Sequence, residues 1–551
     1  MRLPTVRTTL ATVATAGLLA AGTTSAVAAG SPHGGAGGPG GHGHGPTPAV
    51  RELTRADRAD LRRWAADTWD SFVAMTDERT GLPADNIEGD LDAASRSGYT
   101  SPTNIGAYLW STVVADELGL VSGREARARI SRTLTTVAGM EKHEPSGMFY
   151  NWYDEATGEK LLEFPGSGEQ IFPFVSSVDN GWFAAALMVV RTAEPQLRAE
   201  ADAILTEMDF GSFYDADQFG GDRPGMLRGG FWVEDSGTQC SEPGQVDGAD
   251  VLFTCHHYDI LNSEPRIASY IGIARGQIPA EHYFATNRTF PASCDWSWLE
   301  QRPVGTTRTY EGIDVFEGAF TYRGTRVVPT WGGSMFEELM PDLFVPESRW
   351  APNSWGKNHP LAVRAHIEHG LEQAGYGYWG FSPASNPFGG YAVYGVDEIG
   401  MDPGGYPSDR EGTNVDRGYA GCREATNPAP GAPEPTFGDG VVTPHASALA
   451  LAYAPREAVD NLRGIEDDLG AYGPGGFYDS VAVRSGTTAQ RYLSLDQGMV
   501  MGAIGNLLGH DVLHRAFGTK QVEKVLRPLI GQEEFSVGAT AGSAATTQED
   551  S

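Results

Sequence analysis

Apolar residues recur at helical spacing from end to end of this chain, at i, i+3, i+4 and i+7, and they describe a succession of helices. The pattern predicts helices near 54–77, 101–119, 122–140, 177–192, 194–208 and 264–275, then near 333–342, 359–374, 443–453, 455–468, 494–508 and 519–529. Most fall in consecutive pairs. Some, such as the run from Phe183 to Val190, are apolar on nearly every face, the mark of a helix with no solvent side. Strand-like runs cluster around 210–255 and 313–331, where glycine and aromatic residues are dense.

A repeat is superimposed on this pattern. Gly147-Met148-Phe149-Tyr150-Asn151, Gly211-Ser212-Phe213-Tyr214-Asp215 and Gly476-Phe477-Tyr478-Asp479 are variants of one aromatic turn. Two of them precede matching helix starts, Ser177-Val178-Asp179-Asn180-Gly181-Trp182 and Ser494-Leu495-Asp496-Gln497-Gly498-Met499. Helical pairs with buried inner members form a toroid, so the expected fold is all-α, an (α/α)6 barrel with short β-hairpin insertions. Inner-helix N-termini and their loops would then form a cleft. One catalytic domain is expected over 51–535, with 402–440 a surface loop at the cleft edge and 536–551 a disordered tail.

The N-terminus reads differently. Arg2 and Arg7, an Ala-rich apolar run from Thr8 to Gly22 and the small-residue site Ala26-Val27-Ala28 make 1–28 a signal peptide, so the mature chain is expected to be secreted. Residues 29–50 are a Gly/Pro/His-rich linker, and its His33, His42 and His44 read as spacer rather than metal ligands. No later stretch is apolar for long enough to span a bilayer, so no membrane partner is expected after cleavage. In an oxidising compartment Cys240, Cys255, Cys294 and Cys422 allow three pairings. The short separation favours Cys240–Cys255, with Cys294–Cys422 the remainder.

Forty basic against 71 acidic residues leave a net charge of −31, which excludes nucleic acid and anionic membranes as partners. A neutral or cationic ligand fits, and 10% aromatic content with 12 Trp suits sugar stacking. Nucleophile elbows, phosphate loops and Cys-x-x-Cys pairs are absent from the sequence. Asp215-Ala216-Asp217-Gln218-Phe219-Gly220 starts like a calcium loop but puts Phe219 at a ligand position, and the adjacent His256 and His257 do not face one ion. Neither a metal nor a cofactor is expected.

What remains is carboxylates beside aromatics. Glu264 lies in Leu261-Asn262-Ser263-Glu264-Pro265-Arg266-Ile267, before an apolar helix whose first turn accommodates Pro265. There it either complements the helix dipole, which lowers its pKa, or is desolvated enough to donate a proton. Asp179 and Asp496 start inner helices, where N-capping is their default role. Ser334 and Glu337 have capping-box spacing. Asp397 and Glu398 follow an aromatic loop containing Tyr391, and Asp479 sits on the repeated turn. Acids around a toroid's mouth suit glycosidic bond hydrolysis, which needs one acid and one base.

These segments together resemble glycoside hydrolase family 144, the endo-β-1,2-glucanases with a "glucoamylase-like" domain, and the related domain of cyclic β-1,2-glucan synthases. The resemblance covers roughly 54–530. It rests on the Glu264 segment with Gly276-Gln277-Ile278-Pro279, on Gly333-Ser334-Met335-Phe336-Glu337 with Leu339-Met340-Pro341, and on Tyr378-Trp379-Gly380-Phe381-Ser382. Val442-Thr443-Pro444-His445-Ala446 and Leu495-Asp496-Gln497-Gly498-Met499 complete it. The resemblance implies an (α/α)6 barrel that binds a β-1,2-linked glucan, with Glu264 matching an acid implicated in catalysis and Asp179 an acidic position often occupied by Glu. Pro383 stands where synthase-like relatives carry a glutamate associated with a covalent intermediate, which favours inversion.

The expected protein is a secreted, monomeric, inverting endo-β-1,2-glucanase acting on a polysaccharide or oligosaccharide. Glu264 would be the acid, and Asp179, Glu337 and Asp397, in that order, candidates for the base. Trp182, Trp331, Trp379 and Tyr391 would stack on sugars, and Asp397, Glu398, Asp479 and Asp496 would bind substrate. The alternatives are the same fold acting on another bacterial wall or capsular polysaccharide, and a glycan-binding protein without catalysis.

Overall fold

The computed structural model describes residues 53–235, 237, 240–289, 299, 301–401 and 437–540. The expectations for the signal peptide, the linker, Cys294, Cys422, the body of the 402–440 loop and the tail beyond 540 lie outside them; the start of the tail, expected to be disordered, instead adds the strand Gly538–Ala539 to a sheet.

The helices form where the apolar spacing places them. In chain order they are α1 (Arg55–Met75), α2 (Pro102–Glu117), α3 (Gly123–Val137), α4 (Ser177–Ala193), α5 (Arg198–Glu207) and α6 (Arg266–Ala274). Then come α7 (His282–Ala285), α8 (Met335–Leu339), α9 (Glu347–Trp350), α10 (Trp355–Glu368) and α11 (Pro444–Leu449). The last are α12 (Pro455–Asp467), α13 (Ser494–Leu508), α14 (Val512–Phe517) and α15 (Lys520–Ile530). Only α7, α9 and α14 were not indicated by the sequence; at one turn or little more, they are too short to show a period.

Six of these helices, α2, α4, α6, α8, α11 and α13, are buried almost throughout. They follow one another in space: α2 packs on α4, α4 on α6, α8 on α11, α11 on α13, and α13 returns to α2. Side chains bridge α6 to α8, where Arg266 donates to the Glu337 carbonyl at 2.6 Å and the Glu338 carbonyl at 2.5 Å. Glycine allows the close approaches. A Cβ on Gly181 would lie 3.1 Å from that of Ala268 on α6, and one on Gly498 would lie 2.9 Å from that of Ala107 on α2. Outside this circuit, α3, α5, α15, α10 and α12 back onto α2, α4, α6, α8 and α11, and α1 onto α13 and α2. These outer helices bury one face only, as α3 does through Ala126, Ile130, Thr133, Leu134 and Val137.

Strands are more numerous than the sequence pattern indicates, so all-α is too narrow a description. One four-stranded sheet joins Phe174–Ser176, Gly230–Trp232, Ala249–Thr254 and Ser241–Val246; Cys240 and Cys255 form a disulfide across the open end of its last hairpin. A second joins Val304–Tyr310, Ile313–Tyr322, Thr325–Val327 and Gly538–Ala539. Asp247-Gly248 and Glu311-Gly312 turn their hairpins with φ of 46° and 83°, and 49° and 83°, the paired positive values that match strand twist. Both full repeats of the aromatic turn are hairpins: Lys142–His143 pairs with Met148–Phe149, and Tyr472–Gly473 with Gly476–Phe477. No described helix is long and apolar enough to cross a membrane.

Candidate active site

Each buried inner helix brings a polar side chain to its N-terminal end. Thr103 lies in the first turn of α2, Asp179 in that of α4, Glu337 in that of α8, His445 in that of α11 and Asp496 in that of α13. Glu264 immediately precedes Pro265, which caps α6. All six side chains are buried.

Glu264 is 2% exposed and accepts a hydrogen bond from Trp182 Nε1 at 2.7 Å. Burial raises its pKa well above the ordinary carboxylate range, and the neighbouring Glu337 raises it further. The α6 dipole acts in the opposite sense, but a helix end is worth at most about 2 kcal/mol, whereas full burial of a carboxyl can shift it by several pKa units. Burial wins here. Glu264 therefore holds its proton more tightly than an ordinary carboxyl.

Glu337 sits beside it. Its backbone N–H donates to Ser334 Oγ at 3.3 Å, half of a capping box. The reciprocal half does not form: the Glu337 carboxylate instead reaches across to accept the Glu264 backbone N–H at 2.5 Å. Its pKa is raised to about 7 by burial, against the pull of that N–H, the Ser263 hydroxyl and Arg266.

Asp179 does not cap α4; Ser176 does, accepting the Asp179 N–H at 3.1 Å. The Asp179 carboxylate is thereby free to face outward, where Thr103 Oγ1 donates to Oδ1 at 2.6 Å and Asn151 Nδ2 to Oδ2 at 3.0 Å. Tyr258 ties the three acids together. Burial pushes its phenol well above the usual value, and Glu264, Asp179 and Glu337 each push it further.

A second group lies along the same rim. Asp479, from the aromatic turn, accepts the Ser385 N–H at 2.6 Å, and Asp496 lies beside it with its pKa raised well above normal by burial and then by Asp479. His445 Nδ1 is 3.7 Å from Asp496 Oδ2. Tyr391 links the two groups. It exposes 44% of its surface, yet its phenol is shifted up by burial and then by Asp496, Asp479 and Glu264.

The other sequence candidates take different places. Trp182 is fully buried against Trp110 and Phe344 and has no open face for a sugar; what it offers is its N–H to Glu264. Trp379, 2% exposed, is likewise enclosed, and its carbonyl receives Asn461 and Ser447. Trp331 is half-buried on a parallel strand pair with Gly400–Met401. Glu398 accepts from Gln373 and raises the phenol of Tyr322, which places it beside the Ile313–Tyr322 strand; Asp397, buried, precedes it in the same short turn. His257 bonds Asp215 Oδ2 at 2.9 Å, which also pairs with Arg228.

Behind the acids runs a chain of buried ion pairs that sequence reasoning missed. Arg266 grips Glu347 with Nε at 2.8 Å and a second nitrogen at 3.0 Å, and His359 bridges Glu347 at 3.2 Å and Glu338 at 2.7 Å. Glu347 is held down at about 2, with Arg266 overcoming its burial, and His359 is raised to about 10 by the two carboxylates. Tyr258, Asn151, Thr103 and His445 were also missed as site residues. Three of these lie inside or next to segments already conspicuous in the sequence, but their directions depend on the hairpins and helix starts that carry them.

Comparison with known proteins finds similarity along most of the chain. Residues 304–521 match the family model "Putative glucoamylase", and residues 63–224 match a model for a protein of unknown function, DUF3131. The cyclic β-(1,2)-glucan synthase NdvB of Rhizobium meliloti is 23% identical over 603 residues, covering 86% of this chain but only 18% of that protein. The endo-β-1,2-glucanase of Chitinophaga pinensis, solved with sophorotriose and glucose, superposes with a TM-score of 0.59 at 15% identity, over 87% of this chain and 98% of the other. The endo-β-1,2-glucanase of Talaromyces funiculosus, solved with sophorose, gives 0.54 at 14% identity over 88% and 90%. The chain shares the fold of these structures.

Proposed function

We propose that the chain is an exported glycoside hydrolase, an endo-β-1,2-glucanase whose single domain, 51–535, is an (α/α)6 barrel and which cleaves by inversion. The closed circuit of inner helices, each backed by an outer one, supports the barrel. The solved structures sharing the fold include enzymes described as endo-β-1,2-glucanases, which supports the substrate class. The observation that carries the mechanism is Glu264, a buried carboxyl oriented by Trp182, whose pKa burial raises above the ordinary range.

In the reaction, Glu264 protonates the departing glycosidic oxygen as the bond to the anomeric carbon lengthens. A carboxylate on the other side of the sugar takes a proton from the attacking water. Asp179 is the first candidate, because Thr103 and Asn151 fix both of its oxygens without a cation pairing it. The protein is read as a monomer with no other partner than the glycan.

Linear β-1,2-glucan incubated with the purified protein should yield a ladder of short oligosaccharides. Proton NMR of the first minutes should show new reducing ends with α configuration. Absence of any product would sink the activity, and β-configured ends would sink inversion alone.

The pH profile gives a second test. Glu337, once ionised on the alkaline side, helps hold the proton on Glu264. Glu337→Gln removes that charge, so the Glu264 pKa falls and the alkaline limb of kcat/KM should move to lower pH by about one unit, the scale of one close charge. An unmoved limb would mean that another group sets it.

A further inference from the structure

Two clusters of buried His, Asp and Glu have ligand atoms within 4.8 Å of one another: Asp342 with Glu347 and His359, and His445 with Asp479 and Asp496. They differ in what those atoms already do. In the first, Glu347 is gripped by Arg266 and Tyr270, and both His359 nitrogens are bonded to carboxylates. That imidazole, raised to about 10, has no lone pair to give.

In the second, His445 Nε2, Asp479 Oδ1 and Asp496 Oδ2 are all buried without a hydrogen-bond partner. The three side chains are 2%, 1% and 3% exposed. Among the described residues neither aspartate is paired with Arg or Lys, and Asp85 adds a further carboxylate nearby. Buried polar groups without partners cost about 1–3 kcal/mol each, and more when charged. Such a set is what a cation resolves.

We propose that His445, Asp479 and Asp496 form a site for one divalent cation on the rim of the cleft. One imidazole and two carboxylates suit zinc or manganese, with bonds of about 2.0–2.2 Å for zinc. The cation would neutralise the pair of aspartates, with coordination positions left for water or sugar hydroxyls. The ligands come from α11, the aromatic turn and α13, so binding also ties these three elements together.

The test uses the full mature chain after chelator dialysis, titrated calorimetrically with ZnCl2 and, separately, MnCl2, with bound metal counted by mass spectrometry. One equivalent should bind, and Asp496→Asn and His445→Gln should each weaken it at least tenfold with unchanged far-UV circular dichroism. Because His33, His42 and His44 could themselves take zinc, the readout is the difference between wild type and variants. Equal binding in wild type and both variants, or none in any, would overturn the proposal and leave a proton shared between the aspartates. Neither outcome bears on whether the protein cleaves glucan. If a variant unfolds, manganese electron paramagnetic resonance on the wild type replaces it: a spectrum of free manganese throughout would also overturn the site.

Discussion

Glu264→Gln should abolish almost all glucan cleavage while leaving the fold intact. General acid catalysis contributes about 10²- to 10⁴-fold, and the loss should approach the upper figure, because a sugar alkoxide is a poor leaving group without a proton. Two features of the site make this substitution clean. The amide oxygen can still accept from Trp182 Nε1, so the side chain keeps its anchor. It also carries no charge, like the protonated acid it replaces, so no new desolvation cost is introduced. Reducing-end release from β-1,2-glucan should fall at least a hundredfold with a melting temperature within a few degrees of wild type. An aryl glycoside with an acidic phenol, which leaves without protonation, should lose far less. Retention of wild-type turnover on the natural glucan would remove Glu264 from the mechanism.

Arg266→Met should give the largest loss of stability of any single change in the barrel. The guanidinium is buried on α6 and satisfies five acceptors: both Glu347 oxygens and the carbonyls of Ser263, Glu337 and Glu338. Removing one partner of a buried pair costs about 3–5 kcal/mol, because the other is left charged in a medium that cannot solvate it. Chemical denaturation should register that loss.

The pH dependence follows with its sign. The depressed pKa of Glu347, about 2 against 4.5, contributes stability above pH 4.5 that is lost as pH falls towards 2. The raised pKa of His359, about 10 against 6.5, contributes stability that is whole below pH 6.5 and is lost as pH rises through 10. The wild-type network is therefore strongest between about pH 5 and 6.5. Arg266→Met should flatten the acid side of that curve, since Glu347 would lose the strongest of the groups that hold it down and keep His359. A variant as stable as wild type would mean that Glu347 takes up a proton at no cost.

The helices were legible because inner ones such as α4 and α13 are apolar around most of their circumference and outer ones such as α3 along a single stripe. That contrast survives in a linear sequence. The strands were less legible: Val304–Tyr310 alternates threonine with glycine and arginine and buries little beyond Tyr310, so it lacks the apolar alternation that marks a strand. Glu264 could be placed at a helix mouth from Pro265 alone. Its neighbours could not. Ser334 and Glu337 have the spacing of a reciprocal cap, and only the approach of α6 to α8 diverts the carboxylate to the Glu264 N–H. Asp179 reads as a cap because the competing Ser176 lies three residues earlier, on the strand before the helix. Trp182 and Trp379 read as sugar platforms because composition shows aromatic area but not which side of a wall it occupies. The trio of His445, Asp479 and Asp496 is spread over three elements, and no local spacing announces it.

The circuit of inner helices closes between the two ends of the chain. α13 packs against α1 and α2, Trp110 donates to the Gly498 carbonyl at 2.9 Å, and strand Asn86–Glu88 pairs with Arg491–Leu493. Contacts so distant in sequence are the slow ones in folding, because their loop entropy is paid before they return anything. Early helices can therefore assemble on neighbouring hairpins while the rim of carboxylates is still incomplete. The polar residues at the N-terminal ends of the inner helices come from both halves of the chain, and their ring is complete only when the last inner helix brings Asp496 into place.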